Sequence, residues 1–480
     1  MSDPKPNILL ITTDQQRFDT IQALGNDRIY TPHLNWLVDE GLTFERCYAD
    51  APICMPSRAT IMTGKCGYTT GLVGNSDRVR PMAENPTLPG LLTADGYQTR
   101  AQGKMHFAPM RANYGFEHME LPMDYYRACN RNQDAALPKA HGVGENEVEP
   151  VISTVHETQS LTHWTVQRSI DFLETRDETR PFFLWTSFTK PHPPLDPCAN
   201  YWALYQNMDM PDPVRGDWSV SAPEVPQGFL QPTYHLNNMY RLGEEQRRNV
   251  RRAYYATITQ IDYSLGLLFA RMRELGLLEN TWIVFTSDHG DMLGDHWMGA
   301  KSVFLEGASH VPLIVRPPQS SWEMHELGGT RHAGPVTLAD IMPTLLNIAG
   351  VAPPDDVDGR DLLRQASAEE HDRVLFGSSC GDFFSVTERR YKYQWCRMGG
   401  SELLFDIEND PREEHELIRA GAHTEVHRRM RASLLEFLGR HHPELVQDGE
   451  PVADSAPSGP AAVGRWPGYH STVVASDVLH

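Results

Sequence analysis

The chain has 480 residues, of which 40% are hydrophobic and 22% are charged, a composition that excludes fibrous and wholly disordered proteins. Its length exceeds the roughly 250–300 residues at which a single core stops growing, so we expect more than one domain. The net charge is −20, from 63 acidic and 43 basic residues, and this disfavours nucleic acid and anionic membranes as partners.

The N-terminus shows no basic segment followed by a long apolar run, and no stretch is long and apolar enough to span a bilayer. We therefore expect a cytoplasmic protein without membrane contact. Seven cysteines are spread along the chain, and in a reducing compartment they should be free thiols. A cysteine in an unusual pattern is then expected to serve chemistry.

Strand-like runs alternate with helical patterns over the first 365 residues. Strands are predicted at residues 7–12, 97–101, 182–186, 282–286 and 312–315. Helices are predicted at residues 33–40, 88–94, 249–275 and 338–348. This alternation predicts an α/β fold with a large, mostly parallel sheet sandwiched by helices. In such sheets the site lies beyond the carboxyl ends of the strands.

Two later segments have a different texture. The Pro-rich stretch 193–243 predicts an irregular excursion at the mouth of the site. Short strands are predicted at 374–376, 383–387 and 391–396, followed by a helix at 424–438. The predicted domains are a catalytic α/β domain at 1–365, a smaller C-terminal α+β domain at 366–446, and an extended tail at 447–480. The tail is either disordered or an arm on another subunit, which predicts a homo-oligomer.

Cys54 stands at the predicted start of a helix. Pro56 suits the first helical turn, and the pattern ends at Gly64. Backbone N–H groups at a helix N-terminus favour negative charge, and Arg58 follows one turn later on the same face. Taken alone, such a cysteine is structural more often than catalytic.

The segment from Cys54 to Gly64 reads Cys-x-Pro-Ser-Arg-Ala-x-x-x-Thr-Gly. It resembles the signature of the formylglycine-dependent sulfatases of the alkaline phosphatase superfamily. The resemblance implies an alkaline phosphatase-like fold and oxidation of Cys54 to an aldehyde by a formylglycine-generating enzyme. One hydroxyl of the hydrated aldehyde would be the nucleophile, and the second would later expel sulfate by re-forming the aldehyde.

Two polar pairs follow predicted strands, and each alone would be a polar turn. Asp14 and Gln15 follow the first strand, and Asp288 and His289 follow a later one. In the resembled family these positions, together with the modified Cys54, bind a divalent metal. Gln15 stands where many members have an acid, and His289 where many have asparagine. The mixed oxygen and nitrogen set is less calcium-like than a set of oxygens alone. Ca²⁺ is still the predicted ion, with Mn²⁺ or Mg²⁺ as alternatives.

Cations and histidines complete the predicted site, although each alone would be a surface residue. Lys104 and His106 alternate after a strand, so they share a side if the segment stays extended. Prolines on both sides of His192 fix an extended backbone. The resemblance implies that Arg58, Lys104 and Lys301 surround the sulfate oxygens. It makes His192, with His106 as the rival, the proton donor to the leaving oxygen.

Three functions remain open. The first is a sulfatase that hydrolyses small sulfate esters of aryl, choline or sugar type. Lys190-Pro191-His192 resembles uronate sulfatases, residues 103–107 resemble choline sulfatases, and contact of Lys190 with the substrate is left open. The second is a phosphonate monoester or phosphodiester hydrolase, because the two polar pairs at the metal site resemble that branch of the superfamily. The third is an inactive binder of sulfated ligands, which requires Cys54 to stay a thiol.

Overall fold

The structure, a computed structural model, describes residues 5–131, 138–236, 239–367, 372–421 and 423–456. The strands are β1 (Asn7–Asp14), β2 (Leu42–Tyr48), β3 (Gln98–Gly103), β4 (His118–Glu120), β5 (Phe182–Pro191), β6 (Thr281–Ser287), β7 (His310–Arg316), β8 (Arg331–His332), β9 (Val336–Thr337), β10 (Leu375–Ser379), β11 (Phe383–Thr387), β12 (Tyr391–Cys396), β13 (Ser401–Asp406), β14 (Val446–Gln447) and β15 (Glu450–Pro451).

The α-helices are α1 (Pro32–Glu40), α2 (Cys54–Thr63), α3 (Gly67–Thr70), α4 (Pro81–Glu84), α5 (Leu88–Ala94), α6 (Pro122–Arg131), α7 (Leu161–Thr175), α8 (Ala199–Tyr205), α9 (Gln227–Leu236), α10 (Glu244–Glu274), α11 (Glu306–Ser309), α12 (Trp322–Leu327), α13 (Ile341–Ala349), α14 (Leu362–Ala366) and α15 (Thr424–His441). In the described part of the chain, no helix is both long and apolar enough to cross a membrane.

Nine strands of the described chain form one large sheet. Their order is β4-β3-β5-β1-β6-β7-β2-β8, and β9 also pairs with β2. β1 runs parallel to both β5 and β6, and β3 runs parallel to β5. Only the pairings of β7, with β6 and with β2, are antiparallel in this sheet as described. The predicted mostly parallel sheet is confirmed.

Both faces of the sheet are covered, as alternation along β1 illustrates. Ile8 and Leu10 belong to a core that includes residues of α2, α5 and α13. Leu9 and Ile11 belong to a second core on the other face, with residues of α1, α7 and α10. Successive side chains of a strand point to opposite faces, so four apolar residues in a row require cover on both sides. The predicted helix sandwich is confirmed.

The C-terminal part forms a smaller antiparallel sheet in the order β10-β11-β12-β13. Phe384, Tyr393 and Leu404 of this sheet share a buried cluster with Leu434 of α15. The α+β character of this part is confirmed, while the domain limits at 365 and 446 stay predictions. The tail begins with the hairpin of β14 and β15, and its residues 457–480 lie outside the described residues.

One sequence expectation was wrong in detail, and the condition attached to another was not met. The stretch 193–243 is not wholly irregular, because it contains α8 and α9. Tyr201 and Tyr205 of α8 are buried beside α10, and this packing stabilises a helix too short to show a clear period. The segment after β3 does not stay extended, since β3 ends at Gly103 and His106 has a φ of +55°.

Candidate active site

Three neighbouring strands deliver the polar residues to one edge of the large sheet. β1 and β6 pair with Thr13 opposite Ser287, so Asp14 and Asp288 leave the sheet side by side. β1 also pairs with β5, where Asp14 lies opposite Pro191. This register brings the segment that carries His192 to the same edge. The site therefore lies beyond the carboxyl ends of the parallel strands.

Cys54 is the first residue of α2 and is 2% exposed. Its Sγ lies 3.2 Å from Nε2 of His289 and 3.7 Å from Oδ1 of Asp14. Potential ligand atoms of Asp14, Cys54, Asp288 and His289 all lie within 4.8 Å of one another, and all four residues are buried. The structure therefore brings the predicted nucleophile position and three of the predicted metal ligands together.

Arg58 binds both carboxylates of this cluster. Its Nη2 lies 2.9 Å from Oδ2 of Asp288 and 3.2 Å from Oδ2 of Asp14. Its Nη1 donates a hydrogen bond to Oγ of Ser187, at 2.8 Å. Arg58 is only 1% exposed, so the buried guanidinium and the two carboxylates compensate one another. Ser187 could not be predicted as part of the site, because a serine inside a buried strand carries no local signal.

Two lysines approach the sulfur of Cys54. Nζ of Lys104 lies 2.7 Å from Oδ2 of Asp14 and 4.0 Å from Sγ. Nζ of Lys301 lies 3.7 Å from Sγ and donates to Oε1 of Gln15, at 2.6 Å. Together with Arg58 these lysines concentrate positive charge around Cys54, although the whole chain is strongly acidic.

Gln15 connects the cluster around Cys54 to residues behind it. It adopts a left-handed backbone with a φ of +72°, and its main-chain N–H donates to Oδ1 of Asp288, at 3.1 Å. Its side-chain Nε2 donates to Oδ2 of Asp291, at 2.6 Å, while Oε1 accepts from Lys301. Metal ligation through Oε1 stays a prediction for this residue.

The proton of His289 is fixed by the backbone. Nδ1 lies 2.9 Å from the carbonyl oxygen of Gly290, and a carbonyl can only accept, so Nδ1 carries the proton. Nε2 faces Asp14 and Cys54. Burial opposes protonation of the ring, but Asp288 outweighs it and raises the pKa of His289. In the neutral ring, Nε2 offers the lone pair with which histidines bind metals. Two carboxylates and one such imidazole fit a divalent cation. Gly290 permits this fold of the loop, because a Cβ there would lie 2.1 Å from the carbonyl oxygen of Gly307.

The charges of the cluster shift its ionisation. Burial opposes ionisation of Asp14, but Lys104, His192 and Arg58 outweigh burial and hold the pKa of Asp14 well below its usual range. Burial, reinforced by Asp14, raises the pKa of Asp288. These directions follow from opposite charges that surround one carboxylate and a like charge beside the other.

The thiol of Cys54 is also perturbed. Burial and the negative charge of Asp14 oppose thiolate formation, yet Lys104, Lys301 and His289 lower the pKa of Cys54 well below its usual value. A negatively charged group is therefore stabilised at this position. The same cations would stabilise anionic oxygens placed there.

Two histidines line the approach to Cys54. His192 is 8% exposed, and its Nδ1–H donates to the carbonyl oxygen of Pro193, at 2.8 Å. Burial, Lys301 and Lys104 lower the pKa of His192 well below its usual value. His106 is partly buried, and its buried Nδ1 has no hydrogen-bond partner among the described residues.

A cavity of about 560 Å³ opens above Cys54 and reaches both histidines and both lysines of the site. Beyond them its walls include the apolar side chains of Met105, Met110, Leu121, Met123 and Val155. Two further lysines line this outer part, and each is paired with an acid. Lys139 binds Glu145 at 2.5 Å, and Lys190 binds Asp196.

One buried arginine, which no motif predicted, supports the site. Nη1 of Arg17 lies 2.7 Å from Oδ2 of Asp295 and donates to the carbonyl oxygen of Asp291, at 2.9 Å. Arg251 binds the other oxygen of Asp295. These bonds hold the loop after β6 against the start of the loop after β1. The only local signal was the position of Arg17 directly after the polar pair at 14–15.

Comparisons with known proteins agree with this geometry. A family model described as Sulfatase matches residues 6–351, and one described as N-sulphoglucosamine sulphohydrolase, C-terminal, matches residues 294–439. An arylsulfatase of Clostridium perfringens is 33% identical over 482 residues, covering 94% of this chain and 98% of that protein. A choline-sulfatase of Rhizobium meliloti is 29% identical over 434 residues, covering 86% and 82% respectively.

A solved structure shares the fold over nearly the whole chain. The phosphonate monoester hydrolase of Agrobacterium radiobacter has a TM-score of 0.78 at 22% identity, covering 94% of this chain and 100% of that chain. The Sulfatase family model spans well over half of the 480 residues. The chain belongs to the sulfatase family, the sulfuric ester hydrolases of the alkaline phosphatase superfamily.

Proposed function

We propose that the chain is an arylsulfatase whose active form carries formylglycine at position 54 beside a divalent cation. The observation that carries the proposal is the buried cluster of Asp14, Cys54, Asp288 and His289, with Lys104 and Lys301 near the sulfur. Two carboxylates and an imidazole that converge within 4.8 Å form a donor set that suits a divalent cation.

Asp14, Asp288 and His289 would hold the cation, with Gln15 and the modified position 54 as further ligands. The two carboxylates favour Ca²⁺, and the imidazole leaves Mn²⁺ or Mg²⁺ as alternatives. When bound, such a cation polarises a sulfate oxygen as a Lewis acid, and the formylglycine hydrate supplies the nucleophilic oxygen.

Lys104 and Lys301 bind and orient the ester in this proposal, because both line the cavity, whereas the buried guanidinium of Arg58 is already bound by the two carboxylates of the cluster. A sulfate monoester spreads its negative charge over three oxygens, and the ammonium groups of the two lysines lie 4.0 and 3.7 Å from Sγ of Cys54. Preorganised cations at a buried site stabilise the transition state without the reorganisation that water would need. Arg58 keeps the two carboxylates fixed for the cation.

His192 donates the proton to the leaving oxygen, with His106 as the rival. The bond between sulfur and the aryl oxygen breaks, its electron pair stays on that oxygen, and the proton on Nε2 of His192 moves to it. The pKa of His192 is lowered by burial, Lys301 and Lys104. A bound sulfate anion opposes the effect of both lysines and therefore favours the protonated ring.

The outer cavity supports an aryl leaving group over the other two types. Its lysines are paired in the ion pairs Lys139–Glu145 and Lys190–Asp196, so they offer no free charge to a uronate. Their acids are equally occupied and offer none to the quaternary ammonium of choline. The apolar side chains of the outer wall, among them Met105, Met110 and Leu121, suit a flat, uncharged ring.

The test is a comparison of kcat/KM for one enzyme preparation made together with a formylglycine-generating enzyme. The substrates are 4-nitrophenyl sulfate, choline sulfate, glucosamine 6-sulfate and 4-nitrophenyl phenylphosphonate. We expect the aryl sulfate to have the highest value. A higher value for choline sulfate or the sugar sulfate would overturn the aryl assignment but keep the sulfatase.

The second candidate is a phosphonate monoester or phosphodiester hydrolase that uses the same site. It is favoured by the neutral Gln15 beside Asp14 and by the imidazole of His289 in the cluster. A higher kcat/KM for the phosphonate ester would select it. Ligand binding with no turnover of any ester would instead select the inactive sulfate binder.

The proposal includes a formylglycine-generating enzyme as a partner during maturation. Because Cys54 is 2% exposed, the modification has to precede closure of the fold. The homo-oligomer and the cytoplasmic location stay predictions. Removing residues 457–480 and measuring the solution mass tests the first, and an unchanged oligomer would exclude the tail as its cause.

A further inference from the structure

We propose that Lys190 and Asp196 position His192 for proton transfer and that neither binds the sulfate ester. This inference rests on the proposed function, because it assigns them to the step in which the aryl oxygen receives its proton. It also decides the question of substrate contact by Lys190, which the sequence left open.

Lys190 closes a loop around His192. Its Nζ donates hydrogen bonds to the carbonyl oxygen of Pro194 and to Oδ1 of Asp196. The side chain therefore reaches from the end of β5 to residues that follow His192 in the chain, and it ties residues 190 and 196 together. Only 16% of the Lys190 side chain is exposed, so the ammonium group binds the loop and not a substrate.

Asp196 is held from its second oxygen as well. Nδ1 of His141 accepts a hydrogen bond from the backbone N–H of Val143, at 3.0 Å, so the proton of this ring is on Nε2. Nε2 of His141 then donates to Oδ2 of Asp196, at a distance of 3.3 Å between the two atoms. Both carboxylate oxygens are thus engaged, and the acid anchors Lys190 to a separate segment of the chain.

The loop in turn sets the ring of His192. Nδ1–H of His192 donates to the carbonyl oxygen of Pro193, at 2.8 Å, and this carbonyl belongs to the loop that Lys190 closes. The remaining nitrogen, Nε2, is the one available in the cavity. A shift of the loop would move the ring, and a displacement of about 1 Å at a reacting group can cost on the order of 10²-fold in rate.

The test compares Lys190→Met and Asp196→Ala on two substrates that differ in their need for a proton. Phenyl sulfate releases a poor leaving group, whereas 4-nitrophenolate leaves with little help. General acid catalysis contributes roughly 10²–10⁴-fold. We therefore expect kcat for phenyl sulfate to fall about 10–100-fold more than kcat for 4-nitrophenyl sulfate, with KM nearly unchanged. Each single variant should reduce kcat as much as the double variant.

Three further variants sharpen the result. Lys190→Arg keeps donors for both acceptors and should restore most of the rate with phenyl sulfate. His141→Ala removes only the hydrogen bond to Asp196 and should give a smaller change in the ratio of the two rates. This variant keeps the test possible if Lys190→Met does not fold. Lys65→Met removes another buried lysine, which binds Asn85 at 2.8 Å and Asp356, and should leave the ratio of the two rates unchanged.

The inference is overturned if Lys190→Met raises KM equally for both substrates without a change in the rate ratio, since that is the signature of lost substrate binding. It is also overturned if Lys65→Met changes the ratio equally, or if His192→Ala shows no dependence on the leaving group. Failure of the wild-type enzyme to release sulfate from either substrate would instead reject the proposed function.

Discussion

Sγ of Cys54 lies 3.2 Å from Nε2 of His289, although one residue begins α2 and the other follows β6. The contact exists because β1 and β6 are neighbours in the sheet and α2 starts above their carboxyl ends. The fold thereby brings the predicted nucleophile position next to a predicted metal ligand.

Removal of one metal ligand should separate metal binding from folding. Asp288→Asn keeps the shape of the side chain but removes a charge, and Oδ2 of Asp288 lies 2.9 Å from Arg58. We expect loss of the bound cation and at least a 10²-fold loss of kcat/KM, with a folded protein. Elemental analysis and kinetics check this, and Asp77→Asn at an exposed position is the control. An Asp288→Asn protein with full metal content and activity would contradict the ligand assignment.

Loss of Arg58 should destabilise the protein, and the metal should reverse part of the effect. Arg58→Met leaves two buried carboxylates without their guanidinium, which costs about 3–5 kcal/mol in the free energy of unfolding. Added Ca²⁺ binds the folded state and should reduce the deficit. Denaturant unfolding of both proteins, with and without Ca²⁺, measures this. An equal stability of the two proteins in chelator would argue against the charge compensation.

Lys301 should matter for the transition state. Its Nζ is 3.7 Å from Sγ of Cys54, so Lys301→Met should lower kcat/KM for 4-nitrophenyl sulfate by about 10²–10³-fold. Lys65→Met, at a lysine outside the cavity, serves as the matched control. Should both variants lose the same activity, the loss would reflect general destabilisation and not a bound sulfate oxygen.

A buried acid away from the site should make stability depend on pH. Burial raises the pKa of Asp50 to about 6, from 3.8. The folded state then holds this proton more tightly than the unfolded state. The stabilisation from protonation is fully present below pH 3.8 and is lost as the pH rises through about 6.

Asp50→Asn imitates the protonated side chain and should remove this dependence. A shift of about 2 pKa units corresponds to about 3 kcal/mol, so the variant should gain up to that amount relative to wild type between pH 4 and 7. Denaturant titrations at several pH values measure the difference. A difference that does not change with pH would mean that Asp50 ionises normally.

Much of the fold followed from local patterns. The limits predicted for α5, β11 and β12 coincide with the observed ones, because alternation, apolar period and flanking glycines are encoded within each segment. β2 and β13 were not predicted as strands, and the direction of β7 could not be read. The direction of a strand depends on the strand beside which it pairs. A parallel neighbour needs a long crossover connection, and because the chain after β6 returns from the same edge of the sheet without a long crossover helix, β7 runs antiparallel to β6.

The candidate site was predictable where a residue type matched a family pattern and unpredictable where partners decided the role. The structure brings Asp14, Cys54 and Asp288 together. The pairing of Gln15 with Asp291 and of Lys190 with Asp196 was not foreseen. Whether a side chain binds a metal, a substrate or another side chain depends on which residues the fold places beside it. A sequence pattern does not contain that information.

The central claim is that turnover depends on oxidation of Cys54 beside the cation. The most direct test measures, in one series of preparations, the fraction of the Cys54 peptide that mass spectrometry finds as aldehyde and the specific activity on 4-nitrophenyl sulfate. The account predicts that activity rises in proportion to the aldehyde fraction and is absent from Cys54→Ala. Full activity in protein whose Cys54 is entirely thiol would contradict it.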